Sequence, residues 1–253
     1  MKRPSAPVIV LLLTLHTVLL PALLPAPVRG QAPVPALPAP LSPAPAVIPV
    51  AVIPVDEEPR HRFVFADSTL RVLEVAIVAG DTTLAHRHDN DLATINVENG
   101  RTRTRNVGAD WGAPRVRALG EVTFNEYSGT PVAHTVQSID AIGYRLVGVE
   151  NLRPGSWTTG PPIAAAATKM LGESRAFRAY EVRLDAATGE TQHVHDVPVF
   201  IALMSGSVVV SGSDAGPGKP LAGRGQWIVI PGRQPHTVVR GSGEAQVIEI
   251  EVR

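Results

Sequence analysis

The chain has 253 residues with 23 acidic and 23 basic side chains, so its formal net charge is zero. Nucleic acids and acidic membranes bind basic surfaces, so the balanced charge argues against either as the main partner. The chain contains no cysteine, which excludes disulfides, thiolate metal sites and cysteine nucleophiles. Any metal ion must therefore be held by nitrogen and oxygen ligands.

Residues 1–30 have the pattern of a signal peptide. Lys2 and Arg3 precede an apolar run from Val8 to Leu20, and Val28-Arg29-Gly30 forms a cleavage site before Gln31. The apolar run is too short, and the prolines after it too close, for a transmembrane helix. The sequence therefore predicts export to the periplasm or the exterior, with no stable membrane insertion after cleavage.

The rest of the chain divides into four segments. Residues 31–58 are rich in Pro and Ala and predict an extended linker. Residues 59–153 and 174–253 predict two structured modules. Residues 154–173, which contain several Gly and Pro, predict a linker between them, with a short helix over Ile163–Leu171.

Both modules show the alternating pattern of short β-strands. In the last run, Ile248, Ile250 and Val252 face one way while Glu249 and Glu251 face the other. Similar runs separated by Gly, Asp, Asn and Pro recur from residue 60 onward. The pattern predicts an all-β protein built from sandwiches or barrels.

The two modules repeat one arrangement of histidines. His86-Arg87-His88 is followed by His134, and His193-Val194-His195 is followed by His236. Residues i and i+2 of a strand point to the same side, so each pair directs two imidazoles into one space. The third histidine of each module can reach that space from a neighbouring strand. The repeat indicates an internal duplication.

Three neutral imidazoles suit a divalent transition metal. The predicted metal ligands are therefore His86, His88, His134, His193, His195 and His236. The spacing leaves the ion open among Fe, Mn, Zn, Cu and Ni. The alternative is that one or both histidine sets form a hydrogen-bonded core cluster without metal. The remaining histidines, His16 and His61, fall in the signal peptide and at the edge of the first module.

The residues around these histidines resemble the two motifs of the cupin superfamily. The second half carries G-E-T-Q-H-V-H at Gly189–His195 and a second motif from Gly225 through Pro231 to His236. The first half matches the first motif at Gly80–His88, whereas its second motif, Gly120–His134, is degenerate and longer. The resemblance implies a bicupin, with two double-stranded β-helix (jelly-roll-like) barrels in tandem.

The chain departs from the cupin pattern at one ligand. Cupins commonly add a glutamate that is separated from the closing glycine by six intervening residues, and this count reaches Ala93 in the first half and Val199 in the second. Asp89, Asp91 and Asp196 are the carboxylates close to the histidine pairs in sequence. The departure argues against a manganese-dependent oxalate decarboxylase. Three-histidine sites occur in Fe(II) dioxygenases of cupin type.

The resemblance leaves two functions open. One is a metal-dependent oxidoreductase of the dioxygenase type that acts on a small molecule. The other is a non-catalytic cupin that binds a small ligand or metal, or that assembles with its own copies. Glu126 and Tyr127 are candidate acid/base groups near the first site, and Arg233 is a candidate anion contact near the second. The regular spacing from Gly225 to Pro231 predicts the tighter metal site in the second module.

The mature protein is expected to begin near Gln31 after cleavage of the signal peptide. Mass spectrometry of protein recovered from outside the cytoplasm measures its N-terminus directly. A mature form that retains Met1–Gly30 would contradict the cleavage.

Overall fold

The computed structural model describes residues 50–156, 159–165, 167–212 and 218–253. The predicted signal peptide and residues 31–49 of the predicted linker lie outside these ranges. The described residues form β-strands and one 3₁₀ turn at Val55–Glu57, with no α-helix among them. No helix in the described part of the chain is long and apolar enough to cross a membrane.

The strands of the first half run from β1 to β10. Their bounds are β1 Ile53–Pro54, β2 His61–Ala66, β3 Leu70–Ile77, β4 His86–His88, β5 Asp91–Asn96, β6 Gly100–Asn106, β7 Arg115–Arg117, β8 Val122–Asn125, β9 Val132–Ser138 and β10 Tyr144–Asn151. They form two five-stranded sheets, ordered β1-β4-β9-β6-β7 and β2-β3-β10-β5-β8. All pairings are antiparallel except that of β1 with β4.

The strands of the second half run from β11 to β19. Their bounds are β11 Thr168–Glu173, β12 Phe177–Leu184, β13 Glu190–His193, β14 Val199–Ser205, β15 Val208–Gly212, β16 Lys219–Leu221, β17 Trp227–Ile230, β18 His236–Arg240 and β19 Ala245–Val252. The sheets are ordered β11-β12-β19-β14-β17 and β13-β18-β15-β16. Apart from β1, the second half therefore repeats the strand order of the first.

The duplication extends to the register of the strands. His61 on β2 pairs with Val75 on β3, and Thr168 on β11 pairs with Val182 on β12, each 107 positions later. The two H-x-H pairs are separated by the same interval. Equivalent positions of the two barrels can therefore be matched residue by residue.

The helix predicted at Ile163–Leu171 is wrong. Thr168–Glu173 is strand β11, which pairs with β12 through Thr168↔Val182 and Met170↔Tyr180. The local helix preference of an alanine-rich run is weak, and pairing to the edge of a sheet overrides it. The last six residues of the predicted inter-module linker belong to this strand. At the other end, β1 and the 3₁₀ turn belong to the fold, although their residues were predicted to lie in the first linker.

The two halves share one apolar core. It joins side chains of β3, β5 and β10, including Leu70 and Ile95, to side chains of β12, β14 and β19, including Phe177, Phe200 and Ile250. These residues are almost fully buried. The sheet β2-β3-β10-β5-β8 therefore packs its outer face against the outer face of β11-β12-β19-β14-β17. The opposite faces of these sheets line the barrel interiors.

Phe200→Ala is expected to lower the free energy of unfolding by about 3–5 kcal/mol, because it removes a buried ring from the shared core. Since that core joins the halves, chemical denaturation followed by far-UV circular dichroism should show one transition. Val116→Ala, at a side chain that is 70% exposed, is the control and should change stability little. Two separate transitions, with only one shifted by Phe200→Ala, would contradict a shared core.

Candidate metal centres

Antiparallel pairing brings the predicted histidines of each module together. β4 pairs with β9 so that His86 lies opposite His134. β13 pairs with β18 so that His193 lies opposite His236. His88 lies two residues after His86 on β4, so both point to the same side. His195 follows the end of β13, and its ring is centred 5.0 Å from that of His193 and 5.4 Å from that of His236. Each barrel therefore contains the three histidines predicted for it.

The first cluster contains a fourth histidine. The ring centroids of His86, His88 and His134 lie 4.7–5.1 Å apart. His61 on β2 adds a ring centred 4.4 Å from His86 and 5.8 Å from His88. Ligand atoms of His61, His86 and His88 lie within 4.8 Å of one another, a spacing that suits one metal ion. The sequence places His61 only at the edge of the module.

Hydrogen bonds fix which nitrogen is free on two of these rings. Nδ1 of His86 donates to the carbonyl of Leu84 at 2.8 Å, so its Nε2 carries the lone pair. Nδ1 of His61 lies 2.7 Å from the carboxylate of Glu58, which leaves its Nε2 free in the same way. His86 Nε2 and His88 Nδ1 are buried and have no hydrogen-bond partner. Buried lone pairs without a donor are rare in folded proteins, and a cation between them satisfies them.

Burial keeps His86, His88 and His134 of the first cluster uncharged at neutral pH. Burial, together with the neighbouring His61, lowers the pKa of His86 to about 4. Burial and the nearby imidazoles lower the pKa of His88 to about 2 and that of His134 to about 3. Neutral imidazole is the form that binds a metal ion. These three histidines are therefore neutral nitrogen donors.

The second cluster contains a carboxylate. The rings of His193, His195 and His236 are centred 4.4–5.4 Å apart. Glu249 on β19 directs its carboxylate between them, with oxygen–nitrogen distances of 2.8 Å to His193, 3.2 Å to His195 and 3.7 Å to His236. The four residues together form a group of ligand atoms within 4.8 Å.

The second cluster needs a positive charge at its centre. Nδ1 of His195 lies 2.9 Å from Glu251, while its Nε2 faces Glu249. An imidazole with one proton can donate to only one of these carboxylates. Burial alone lowers the pKa of His195, but the hydrogen bonds and charges of Glu249 and Glu251 raise it to about 9. A divalent metal ion can replace that extra proton and supply positive charge at the same place.

Unpaired atoms in the second cluster also fit a metal ion. Both ring nitrogens of His236, Nδ1 of His193 and one oxygen of Glu249 are buried without a hydrogen-bond partner. Three imidazoles and one carboxylate form a set of four nitrogen and oxygen donors, which suits a divalent transition metal. The residues present therefore fit such an ion in both barrels, with different donor sets.

An arginine pairs with a buried glutamate beside each cluster. In the second barrel, Arg178 on β12 contacts Glu251 at 3.3 Å. At the equivalent positions of the first barrel, Arg71 on β3 pairs with Glu150 on β10. Burial raises the pKa of Glu150, which Arg71 opposes. Glu251 uses its other oxygen to hold His195, so this pair orients a ligand in the second barrel.

In the first half, the position at which the sequence count placed the cupin glutamate does not face the barrel interior. Ala93 faces the core shared by the halves, whereas Leu92 faces the interior of the first barrel. In the second half Val199 does face the barrel interior. Neither inward side chain can bind a metal. The carboxylate of the second cluster comes from the last strand instead.

The three aspartates close to the histidine pairs make contacts outside the clusters. Asp89 pairs with Arg87 at the surface. Asp91 is buried and pairs with Arg175 of the second half at 3.0 Å. Asp196 accepts a hydrogen bond from the backbone N–H of Gly160.

Of the other candidate residues, only Tyr127 lies at a cluster. Its ring stacks 5.0 Å from that of His88. Burial raises the pKa of Tyr127 to about 12, so its hydroxyl remains protonated at neutral pH. Glu126 accepts a hydrogen bond from the backbone N–H of Arg175 and is half exposed. Arg233 is exposed, although its backbone N–H donates to the carbonyl of His195.

The first cluster opens onto a cavity of about 280 Å³ inside its barrel. His61, His88 and His134 line it together with Tyr127, and Arg115 and Arg117 of β7 lie at its wall. The interior of the second barrel is filled with buried aliphatic side chains such as Val199, Ile201 and Val238. The side chains of His195, His236 and Glu249 are at most 1% exposed. The second cluster is therefore closed.

No family model matches the chain, and no curated protein sequence matches it significantly. Several solved structures do. AerE from Microcystis aeruginosa aligns with a TM-score of 0.57 at 10% identity, over 78% of this chain and 98% of that one. Oxalate decarboxylase from Lactobacillus farciminis, as a formate complex, aligns with a TM-score of 0.55 at 12% identity, over 76% and 81%. Salicylate 1,2-dioxygenase from Pseudoaminobacter salicylatoxidans, in gentisate adducts, gives 0.52 at 11% identity, over 73% and 68%.

At these identities the likenesses show the fold alone. They agree with the strand order, which repeats one two-sheet barrel twice along the chain. The all-β fold with two cupin-type barrels in tandem, predicted from the sequence, is confirmed. What each barrel does has to follow from its own residues.

The second cluster is expected to hold its metal ion more tightly than the first, because Glu249 adds a negative charge to a closed site. After dialysis against a weak chelator, elemental analysis should find less metal in His193→Ala/His195→Ala than in His86→Ala/His88→Ala. The opposite order would place the tighter site in the first barrel. Glu249→Gln keeps the size of the side chain and should lower metal retention in the second barrel only.

Proposed function

We propose that this protein is an exported bicupin that binds a divalent metal ion in each barrel. The first barrel acts on a small anionic molecule as a metal-dependent oxidoreductase of the dioxygenase type. The observation that carries this proposal is the contrast between the barrels. The histidines of the first border a cavity, whereas those of the second are closed in.

The donor set of the first barrel supports an anionic substrate. The lowered pKa values of His86, His88 and His134 keep these ligands neutral, so they do not offset the charge of a bound ion. When bound, a divalent metal supplies Lewis acidity and open positions for a chelating substrate. Small anions are attracted by this charge. A volume of about 280 Å³ limits the substrate to a small molecule.

Two residues of the cavity wall can orient such a substrate. Arg117 is held by Thr102, to which its Nε donates at 3.1 Å, and so presents a fixed positive charge. Nη1 of Arg117 also lies 4.0 Å from the carboxylate of Glu121, which pairs with Arg115 as well. The Tyr127 hydroxyl, which remains protonated, is suited to donate a hydrogen bond to a developing negative charge.

The second barrel favours a structural role for its own metal site. Among the described residues, its cluster adjoins buried aliphatic side chains rather than a cavity wall. A metal ion there joins β13 and β18, which belong to one sheet of the barrel, to β19 of the other sheet. In this proposal the non-catalytic alternative applies to the second barrel alone.

We also propose export to the periplasm or exterior, and self-assembly with copies of the same chain.

The proposed activity is tested with the full-length mature protein, reconstituted separately with Fe(II), Mn(II), Zn(II), Cu(II) and Ni(II). Oxygen uptake is measured with small chelating anions such as hydroxy acids, dicarboxylates and diketones. Arg117→Ala should raise the KM by about tenfold, the effect of one charge-assisted hydrogen bond. Arg101→Ala, on the outer face of the same sheet, is the matched control and should leave the KM unchanged.

Metal-dependent turnover should disappear in His86→Ala/His88→Ala and persist in His193→Ala/His195→Ala where that variant folds. Turnover that depends on the second pair alone would contradict the assignment of the active barrel. Absence of turnover with every metal, while the small anions still bind at the first barrel, would favour the non-catalytic ligand-binding alternative.

A further inference from the structure

We infer that His61 is a metal ligand of the first barrel, beside His86 and His88, and that this centre contains no carboxylate. The inference rests on the proposed metal binding of that barrel. It adds a ligand from β2, outside both histidine motifs, and a residue that positions it, Glu58.

The position of His61 is that of a ligand. Its ring lies against those of His86 and His88, and one of its nitrogens belongs to the group of ligand atoms within 4.8 Å. Its side chain is only 7% exposed, although β2 is the edge strand of its sheet. It also lines the cavity. A solvated edge histidine would have none of these properties.

Glu58 holds His61 in the orientation that a ligand requires. Its carboxylate is fully buried and accepts from Nδ1 of His61 at 2.7 Å. The backbone N–H groups of Arg60 and Leu84 donate to the same carboxylate at 2.7 and 3.1 Å. Burial alone raises the pKa of Glu58, but these hydrogen bonds lower it to about 2. A carboxylate that accepts from one ring nitrogen directs the other toward the metal.

Comparison of the barrels supports this assignment independently. The position equivalent to His61 in the second barrel is Thr168, whose buried hydroxyl has no hydrogen-bond partner. The position equivalent to Glu249 in the first barrel is Gly148, since Gly148 pairs with Thr94 and Glu249 with Ile201. Each barrel thus has a fourth donor where the other has a small residue.

The two centres therefore differ in charge and in donor type. The first offers only imidazole nitrogen, which suits nitrogen-preferring ions such as Cu(II) or Ni(II). The second offers three nitrogens and one carboxylate. A metal-exchange experiment can use this difference to distinguish the two sites within one chain.

The inference is tested by Cu(II) titration of the full-length mature protein against a competing chelator, with electron paramagnetic resonance of the bound ion. The binding step that disappears in His86→Ala/His88→Ala identifies the first centre. His61→Ala should weaken this step and change the nitrogen hyperfine pattern. Glu58→Gln should weaken the step by about 10–100-fold, the usual effect of removing the partner that orients a ligand. Thr168→Ala, at the matched position of the second barrel, should leave both steps unchanged.

The outcomes separate this inference from the proposed function. If His61→Ala leaves the affinity and the spectrum of the first step unchanged, His61 is not a ligand, although the barrel still binds metal. A weaker step with an unaltered spectrum would also overturn the assignment, because it indicates an indirect effect. If His86→Ala/His88→Ala removes no binding step, the proposed metal site of the first barrel fails as well. Should His61→Ala not fold by circular dichroism, His61→Gln, which keeps a donor for Glu58, provides the same comparison.

Discussion

Buried acceptor atoms that face one another are the constraint on which both barrels depend. In the second barrel a carboxylate and three imidazoles meet where side chains are almost fully buried. Such a group is stable only with a proton or a metal ion at its centre, because uncompensated charge in an apolar interior is costly. In the first barrel the pKa values of His86, His88 and His134 are lowered, and a cavity adjoins the cluster. The same fold thus supports a closed centre and an accessible one.

The packing between the halves decides which face of each strand carries this chemistry. Aliphatic side chains of β10 and β19 enter the shared core, so the alternate residues of these strands must point into the barrels. Glu249 and Glu251 lie on that inward face. Both sides of this sheet are buried, so neither glutamate lies on a solvent face. Glu249 belongs to the candidate metal site, and Glu251 pairs with Arg178.

Much of this fold follows from local sequence patterns. His86 and His88 lie on β4, whereas His193 ends β13 and His195 follows it. The repeated H-x-H motif revealed the duplication. The pattern could not reveal His61, since the repeat has Thr168 at the matched position and offers no second copy to compare. The alternation of Glu249 and Glu251 with isoleucines was visible, but which face points inward depends on how the two halves pack. Both fourth donors are thus tertiary features.

Gly148 has a consequence for the history of the duplicated halves. A β-carbon at this position would lie 3.2 Å from the carbonyl oxygen of Ala93 and equally close to the side chain of Leu92, with Leu73 at 3.3 Å. A glutamate at this position therefore requires the backbone of Ala93 and the side chains of Leu92 and Leu73 to move by a few tenths of an ångström. Copying the segment around Glu249 into the first half would meet this crowding, so exchange of sequence between the two halves is disfavoured at this position.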